Sequence, residues 1–402
     1  MKRKVLLSVL LVTTTIISGC RSRQRAETPY DNPLLPGQSA LRKITDPYEI
    51  PDFTMACFDL ANLRTAIDRS LNYLNKPSSQ KFFPLGDITH KRAVDSLKAF
   101  AEMMDSRMTA RSMNEAIRSK FDVYMSVGCD GDGTVLFTGY YTPIFDGSMK
   151  RTERFQYPLY KTPEDLVKGP DGETLGMRGT GGVLTQYPPR AIIESSNMLA
   201  GTELIWLSDP FEVYIAHVQG SAKIRLPNNK LITVGYAANN GHDYHGISKE
   251  LVNDGRLRTD QISLSAMIDF FKNNPHLVNT YVWRNPRFVF FKIQEGEPRG
   301  SLNEQVIPLR TIATDKSIFP RGCLTFISTR LPQETAGTVS NQFYSGFALD
   351  QDTGGAIRAP GRCDVYMGIG DRAGKLAGQT YQEGKLYYLF LKSTDTSFFV
   401  NR

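Results

Sequence analysis

Two carboxylates, Asp352 and Asp364, flank one short loop near the C-terminal end of this chain. The stretch leaves an apolar run at Leu349 and passes the paired Gly354-Gly355. It then crosses Pro360-Gly361 and re-enters an apolar run at Asp364. Taken alone, Asp352-Thr353-Gly354-Gly355 fits an ordinary turn, because Asp and Gly are the usual turn residues. Held at strand ends on a rigid β scaffold, the same pair suits acid/base chemistry, which needs a carboxyl fixed within a fraction of an ångström. Asp352-Thr353-Gly354 also matches the aspartic-protease triplet. That chemistry takes two carboxylates sharing one proton, and a second triplet is absent.

Other residue groups carry less. Phe137-Thr138-Gly139-Tyr140-Tyr141-Thr142-Pro143 sets a glycine between a hydroxyl and two aromatics. Glycine inside a strand marks close approach of a ligand or another backbone, and paired tyrosines suit either sugar rings or plain packing. Asp130-Gly131-Asp132-Gly133 lacks the remaining ligands of a calcium loop. His242 and His245 lack a third metal ligand and read as polar turn residues. No Gly-x-Ser-x-Gly elbow is present for a serine hydrolase. Glu194-Ser195 has no companion motifs of a lysozyme-like site and reads as a solvated helix pair. No cofactor or metal is expected.

The elements that must position the two aspartates follow from periodicity. Apolar steps of three and four predict helices over Leu60–Leu74, Thr89–Met104 and Ser112–Ser119. The period then changes to two, and Phe121–Val127 with Thr134–Pro143 reads as a hairpin. Short strands follow at Leu204–Leu207, Val213–Val218 and Leu231–Tyr236, with a helix starting at Pro189. Further helices are read at Ser248–Asn253, Ser265–Asn273 and His276–Trp283. Arg287–Ile293, Val306–Leu309, Cys323–Ile327, Phe343–Leu349 and Leu386–Leu391 read as strands. Many short strands joined by glycine-rich turns point to a mainly β, barrel-containing chain.

Met1-Lys2-Arg3-Lys4 and the apolar run Val5–Ile17 have the shape of an export signal, too short to span a bilayer. Ile17-Ser18-Gly19-Cys20 is similar to the bacterial lipoprotein box, which implies lipidation at Cys20 and a lipid-anchored chain. Arg21 follows in place of the inner-membrane retention aspartate, so the periplasmic face of the outer membrane is the expected location. Of the formal charge of +7, three units leave with Lys2, Arg3 and Lys4. The remainder forms no basic block of the nucleic-acid type, so nucleic acid is not an expected partner. Cys57, Cys129, Cys323 and Cys363 include no Cys-x-x-Cys pair, and their pairing cannot be read from spacing.

Five segments occur in one order: Phe137–Pro143, Val218-Gln219-Gly220-Ser221, Gly235–His242, Asn285–Phe291, and Asp352–Ile357 with Asp364. Together they resemble the membrane-bound lytic murein transglycosylase A family, with a three-aspartate domain at the C-terminus. The resemblance implies a double-psi β-barrel built from two chain segments, with a second, smaller β domain inserted and N-terminal helices. The expected division is a signal peptide at 1–19 and a lipidated tether at 20–50. Helices and the first barrel part follow at 51–142, the insert at 143–285 and the second barrel part at 286–402. It further implies cleavage of the β-1,4 bond between N-acetylmuramic acid and N-acetylglucosamine in peptidoglycan glycan strands, leaving a 1,6-anhydro end. Asp364 aligns with the single acid/base and Asp352 with its neighbouring aspartate. Thr138, Gly139, Tyr140, Gln219, Gly220, Ser221, Tyr236 and Asn240 fall on segments that line the saccharide groove. The rival expectation is a non-catalytic, expansin-like barrel that only binds the wall.

Overall fold

Six strands close on themselves in this computed structural model, which describes residues 30–258 and 262–393. They are β1 (Val135–Thr142), β2 (Thr311–Ala313), β3 (Leu324–Thr335), β4 (Thr338–Asp352), β5 (Arg362–Ile369) and β6 (Tyr381–Leu391). The ring runs β1, β6, β3, β4, β2, β5 and back to β1. Two of its ladders, β5 with β1 and β2 with β4, are parallel. Parallel neighbours cannot be joined by a tight turn, and β1 reaches the ring from before the insert. The β3–β4 hairpin turns on Ala336-Gly337, both at positive φ (49° and 80°), as a two-residue turn that follows strand twist requires.

The helices predicted from periodicity form and cover one side of the barrel. Leu63–Leu74, His90–Asp105 and Ala110–Lys120 bury their apolar faces. Thr89 and Thr109 lie just outside the second and third, where their hydroxyls accept from Arg92 N and Ser112 N. Phe53, Phe100, Phe326 and Phe347 meet in a ring cluster between these helices and the barrel wall. On the other side, the helix Gly370–Gln379 lies so close to β1 that a Cβ at Gly139 would come within 2.7 Å of Ala377 Cα.

Between β1 and β2 stands the inserted β domain. Its six-stranded sheet runs Val289–Gln294, Leu231–Asn239, Ser221–Arg225, Ile144–Ser148, Glu203–Leu207, Tyr157–Tyr160. A small three-stranded sheet adds Leu166–Lys168, Thr174–Arg178 and Leu184–Thr185. The insert has its own core around Phe211, Phe271, Tyr281 and Phe291. Its sheet runs on to Gln294, past the expected boundary at 285, because Val289–Gln294 pairs with Leu231–Asn239.

Three strand readings are corrected. Phe121–Ser126 and Val135–Thr142 form strands but not a hairpin: each pairs antiparallel with a different part of β6, because that long strand runs between them and a local turn signal does not fix which strand is the partner. Val213–Val218 lies in a helix, Pro210–Gln219. The segment is apolar on nearly every side, so period two and a buried helix look alike in sequence. Its boundaries decide the matter: Asp209 caps the start, Pro210 occupies the first turn, and Gly220 ends it at φ 73°. Val306–Leu309 is a turn rather than a strand; Leu309 stands at φ 60° and the strand begins at Thr311.

Phe347 is 0 % exposed and touches three other phenylalanine rings. Phe347→Ala is expected to cost about 3–5 kcal/mol in urea unfolding, and Phe347→Leu much less.

Candidate active site

Strand alternation sorts the residues around Asp364. In the β5–β1 ladder Asp364 pairs with Thr138, and Arg362 stands two residues before it on the same face. The Thr138 hydroxyl donates a hydrogen bond to Asp364 Oδ1. Arg362 Nη2 lies 3.3 Å from Thr138 Oγ1 and 3.6 Å from Asp364 Oδ1. Asp364 Oδ2 takes no donor among the described residues, and the side chain is 18 % exposed. Cys363, between Arg362 and Asp364, turns to the opposite face and is 0 % exposed. All four described cysteines are free thiols, and burial pushes Cys57, Cys323 and Cys363 up.

Asp352 is held quite differently. The backbone N–H groups of Ser301 and Thr353 both donate to its Oδ1 at 2.8 Å, and Tyr140 OH donates to its Oδ2 at 2.9 Å. Gly300 is required there, since a Cβ would come within 2.9 Å of Asp352 Cγ. Burial pushes the Asp352 carboxyl above the ordinary carboxylate range, against the pull of these donors and of Lys316.

A third aspartate, Asp350, was not singled out in the sequence. It lies two residues before Asp352 on β4, is 0 % exposed, and accepts from Thr314 Oγ1 (2.8 Å) and Tyr388 OH (2.7 Å). Lys316 Nζ completes this buried network as its ion-pair partner. The two-residue spacing on a strand was the available signal for Asp350; Lys316 had none, because its partner is remote in sequence.

The other residues expected at the site divide. Tyr140 is half-buried beside the Tyr366 ring, with centroids 5.1 Å apart. Gln219 Oε1 accepts from Tyr141 N at 3.1 Å, and Ser221 Oγ lies 3.3 Å from Thr142 Oγ1, so both tie the insert to β1. Gly220 is the left-handed helix cap that lets Gln219 and Ser221 face the barrel. Gly139 serves the close helix described above. Tyr236 is 44 % exposed, its OH accepting from Asn239 Nδ2. Asn240 is not on a lining surface: it is 1 % exposed, and its amide hydrogens go to Pro188 O and Pro286 O. It braces the Pro286 turn, and Phe288 N donates back to its Oδ1.

The decoys also acquire partners. Glu194 is no solvated helix residue; it accepts from Arg190 Nη1 at 2.6 Å and Trp283 Nε1 at 2.7 Å. Asp130 Oδ1 accepts from Asp132 N and Thr134 N, a local turn. His242 Nε2 is 2.7 Å from Tyr187 O, and His245 Nε2 is 3.0 Å from Glu250 Oε1. Among the described residues, no group of three or more His, Cys, Asp or Glu is placed to hold a metal.

The closed barrel is built from two chain segments, carries an inserted β domain, and presents a carboxyl with one uncommitted oxygen. The MltA specific insert domain family matches residues 136–292, and the 3D domain family matches residues 310–390. Membrane-bound lytic murein transglycosylase A of Escherichia coli (strain K12) is 30 % identical over 272 residues, covering 67 % of this chain and 69 % of that one. Its namesake from Vibrio cholerae is 30 % identical over 274 residues, with the same two coverages, 67 % and 69 %. The chain belongs to the membrane-bound lytic murein transglycosylase A family, and it is a lytic transglycosylase. Solved structures share the fold. A membrane-bound lytic murein transglycosylase from Agrobacterium tumefaciens superposes with a TM-score of 0.73 at 24 % identity, covering 88 % of this chain and 98 % of that one. E. coli MltA with bound chitohexaose gives 0.67 at 24 % identity, covering 92 % and 98 %.

A cavity of about 160 Å³ lies where the insert meets the barrel, walled by Tyr141, Asp209, Glu212, Ile268, Lys272 and Asp371. Glu212 Oε2 is buried there without a hydrogen-bond partner. Burial, then the charges of Asp209 and Asp146, push Glu212 up to about 7, while Lys272 and Arg154 pull it down. The native carboxyl thus keeps its proton to about pH 7, whereas the unfolded one loses it near 4.5. The native state binds more protons across that window, so this group's contribution to stability falls as pH rises through it. Glu212→Gln is expected to flatten that fall: the Tm difference between variant and wild type should grow from pH 4.5 to 7 and then level off.

Proposed function

We propose that this chain cleaves the β-1,4 bond between N-acetylmuramic acid and N-acetylglucosamine in peptidoglycan, with Asp364 as its single acid/base. The observation that carries the reading is the contrast between the two aspartates. Asp352 has both oxygens committed to three donors, whereas Asp364 has only Oδ1 committed, to Thr138. Asp364 Oδ2 is therefore the oxygen free to carry a proton to a substrate. The murein named in its relatives, and the chitohexaose bound to the E. coli structure, support a glycan as that substrate.

Ordinary glycosidases use two carboxylates, one for the leaving group and one to activate water or attack. Here the nucleophile is the substrate's own C6 hydroxyl. Asp364 Oδ2 donates its proton to the glycosidic oxygen as the C1–O bond breaks. The resulting carboxylate, held by Thr138 and faced by Arg362, takes the proton of the C6 hydroxyl as that oxygen bonds to C1. The products are a free 4-hydroxyl and a 1,6-anhydromuramyl end, with no water consumed. Intramolecular attack gains from proximity, so one carboxyl suffices. A barrel that only bound the wall would release no anhydro end. The proposed location is the periplasmic face of the outer membrane, anchored through Cys20, which lies outside the described residues.

Asp364→Asn is expected to lower 1,6-anhydromuramyl release from purified sacculi by roughly 10²–10⁴-fold, read by mass spectrometry, with an unchanged melting curve. Near-normal turnover would remove Asp364 from this role, and reducing ends bearing added water would indicate hydrolysis instead. Thr138→Val should lose about tenfold, in line with one hydrogen bond to a charged group. Cys20→Ala should move the protein from the outer-membrane fraction to the soluble periplasm.

A further inference from the structure

We propose that Arg287, with Arg358 beside it, forms a carboxylate-binding subsite next to the catalytic loop, which selects glycan carrying a free carboxylate on its muramyl arm. This rests on the reading of the site as murein-cleaving.

Arg287 opens the last strand region of the insert, and its own N–H donates to Asn285 Oδ1 at 3.2 Å. Its guanidinium lies against the loop that follows Asp352: a Cβ on Gly355 would come within 2.9 Å of Arg287 Nε. Only glycine leaves room for it there. Nη1 donates to His242 O at 2.9 Å, which fixes the head group. The Nε–Nη2 edge takes no protein acceptor among the described residues. That edge is the fork that binds a carboxylate through two parallel hydrogen bonds.

Burial and charge make an unpaired arginine fork costly. Buried arginines elsewhere meet carboxylates: Arg92 meets Asp122, Arg190 meets Glu194, and Arg310 meets Asp59. Among the described residues, no carboxylate lies within 4.0 Å of Arg287 or of the exposed Arg358. The groups acting on Arg287 are Tyr236 and Asp243, which favour its charge, and Arg358, which opposes it; burial opposes it most. A desolvated cation facing a second cation is stabilised when an anion sits between them.

Muramyl residues supply that anion and N-acetylglucosamine does not. The lactyl arm ends in a carboxylate where it is unsubstituted; where it bears a peptide, the carboxylates belong to the peptide. Four glycans separate these sources: naked strands, peptide-bearing strands, and each after carbodiimide amidation. For wild type, kcat/KM is expected to be about tenfold or more higher on the charged than on the amidated form. The pair that shows the drop identifies the source. Arg287→Gln and the exposed Arg358→Gln should bring this ratio toward one, and Arg287→Lys should keep part of it. Melting curves show whether each variant is folded. Binding of the same four glycans to Asp364→Asn protein tests the subsite without turnover. A wild-type ratio near one, equal binding of charged and amidated strands, or an unchanged ratio in both Gln variants overturns the subsite. Absence of anhydro product on all four glycans, with charge-selective binding intact, overturns the reaction and leaves the subsite standing.

Discussion

Parallel pairing of β5 with β1 holds the molecule's chemistry in place. It joins residues 226 positions apart in the chain and sets Asp364 opposite Thr138. Side chains alternate along each strand, so a slip of one residue would present Cys363 where Asp364 now stands. The register is defended on one face. The apolar set Val135, Phe137, Cys363 and Val365 is buried toward the core. On the same face, Gly139, registered opposite Val365, admits the helix Gly370–Gln379 against the strand.

The three aspartates of the barrel show what that frame does with a single side-chain type. Asp350 is sealed in the interior with Lys316, Tyr388 and Thr314, where a charge persists only with a full set of partners. Asp352, two residues on, is fixed by two backbone N–H groups and a tyrosine. Asp364 keeps one oxygen for a ligand. Asp350 and Asp352 each take three protein donors and Asp364 takes one, so the three carboxyls are told apart by their neighbours.

Much of this was legible in the chain. The Asp352–Asp364 stretch, the fold class and the N-terminal helices rest on short-range patterns: turn residues, a period of two, a period of three to four. The helix Pro210–Gln219 was misread because a segment apolar on all sides has no period to declare itself, although Asp209-Pro210 and Gly220 were the usable signals. Asn240 lay in a segment that resembles a groove-lining one, and position in a segment does not say which way an amide points. Asp350–Lys316 and Arg287–Gly355 were invisible for a different reason. They are contacts between residues remote in sequence, and a lone charged residue looks like surface until its surroundings are known.

The place of the insert bears on how the barrel can be assembled at all. Closing β1 onto β5 across more than two hundred residues as a free loop is entropically slow and unfavourable. The insert's first strand, Ile144–Ser148, and its last, Val289–Gln294, lie in one sheet with two strands between them. Their separation is therefore about 15 Å, three strand spacings. Once the insert has acquired its own core, the long loop behaves as a short, rigid clasp that delivers both chain ends to the same side. The domain that separates the two halves of the barrel in sequence is thus also a chaperone for their meeting, built into the chain itself.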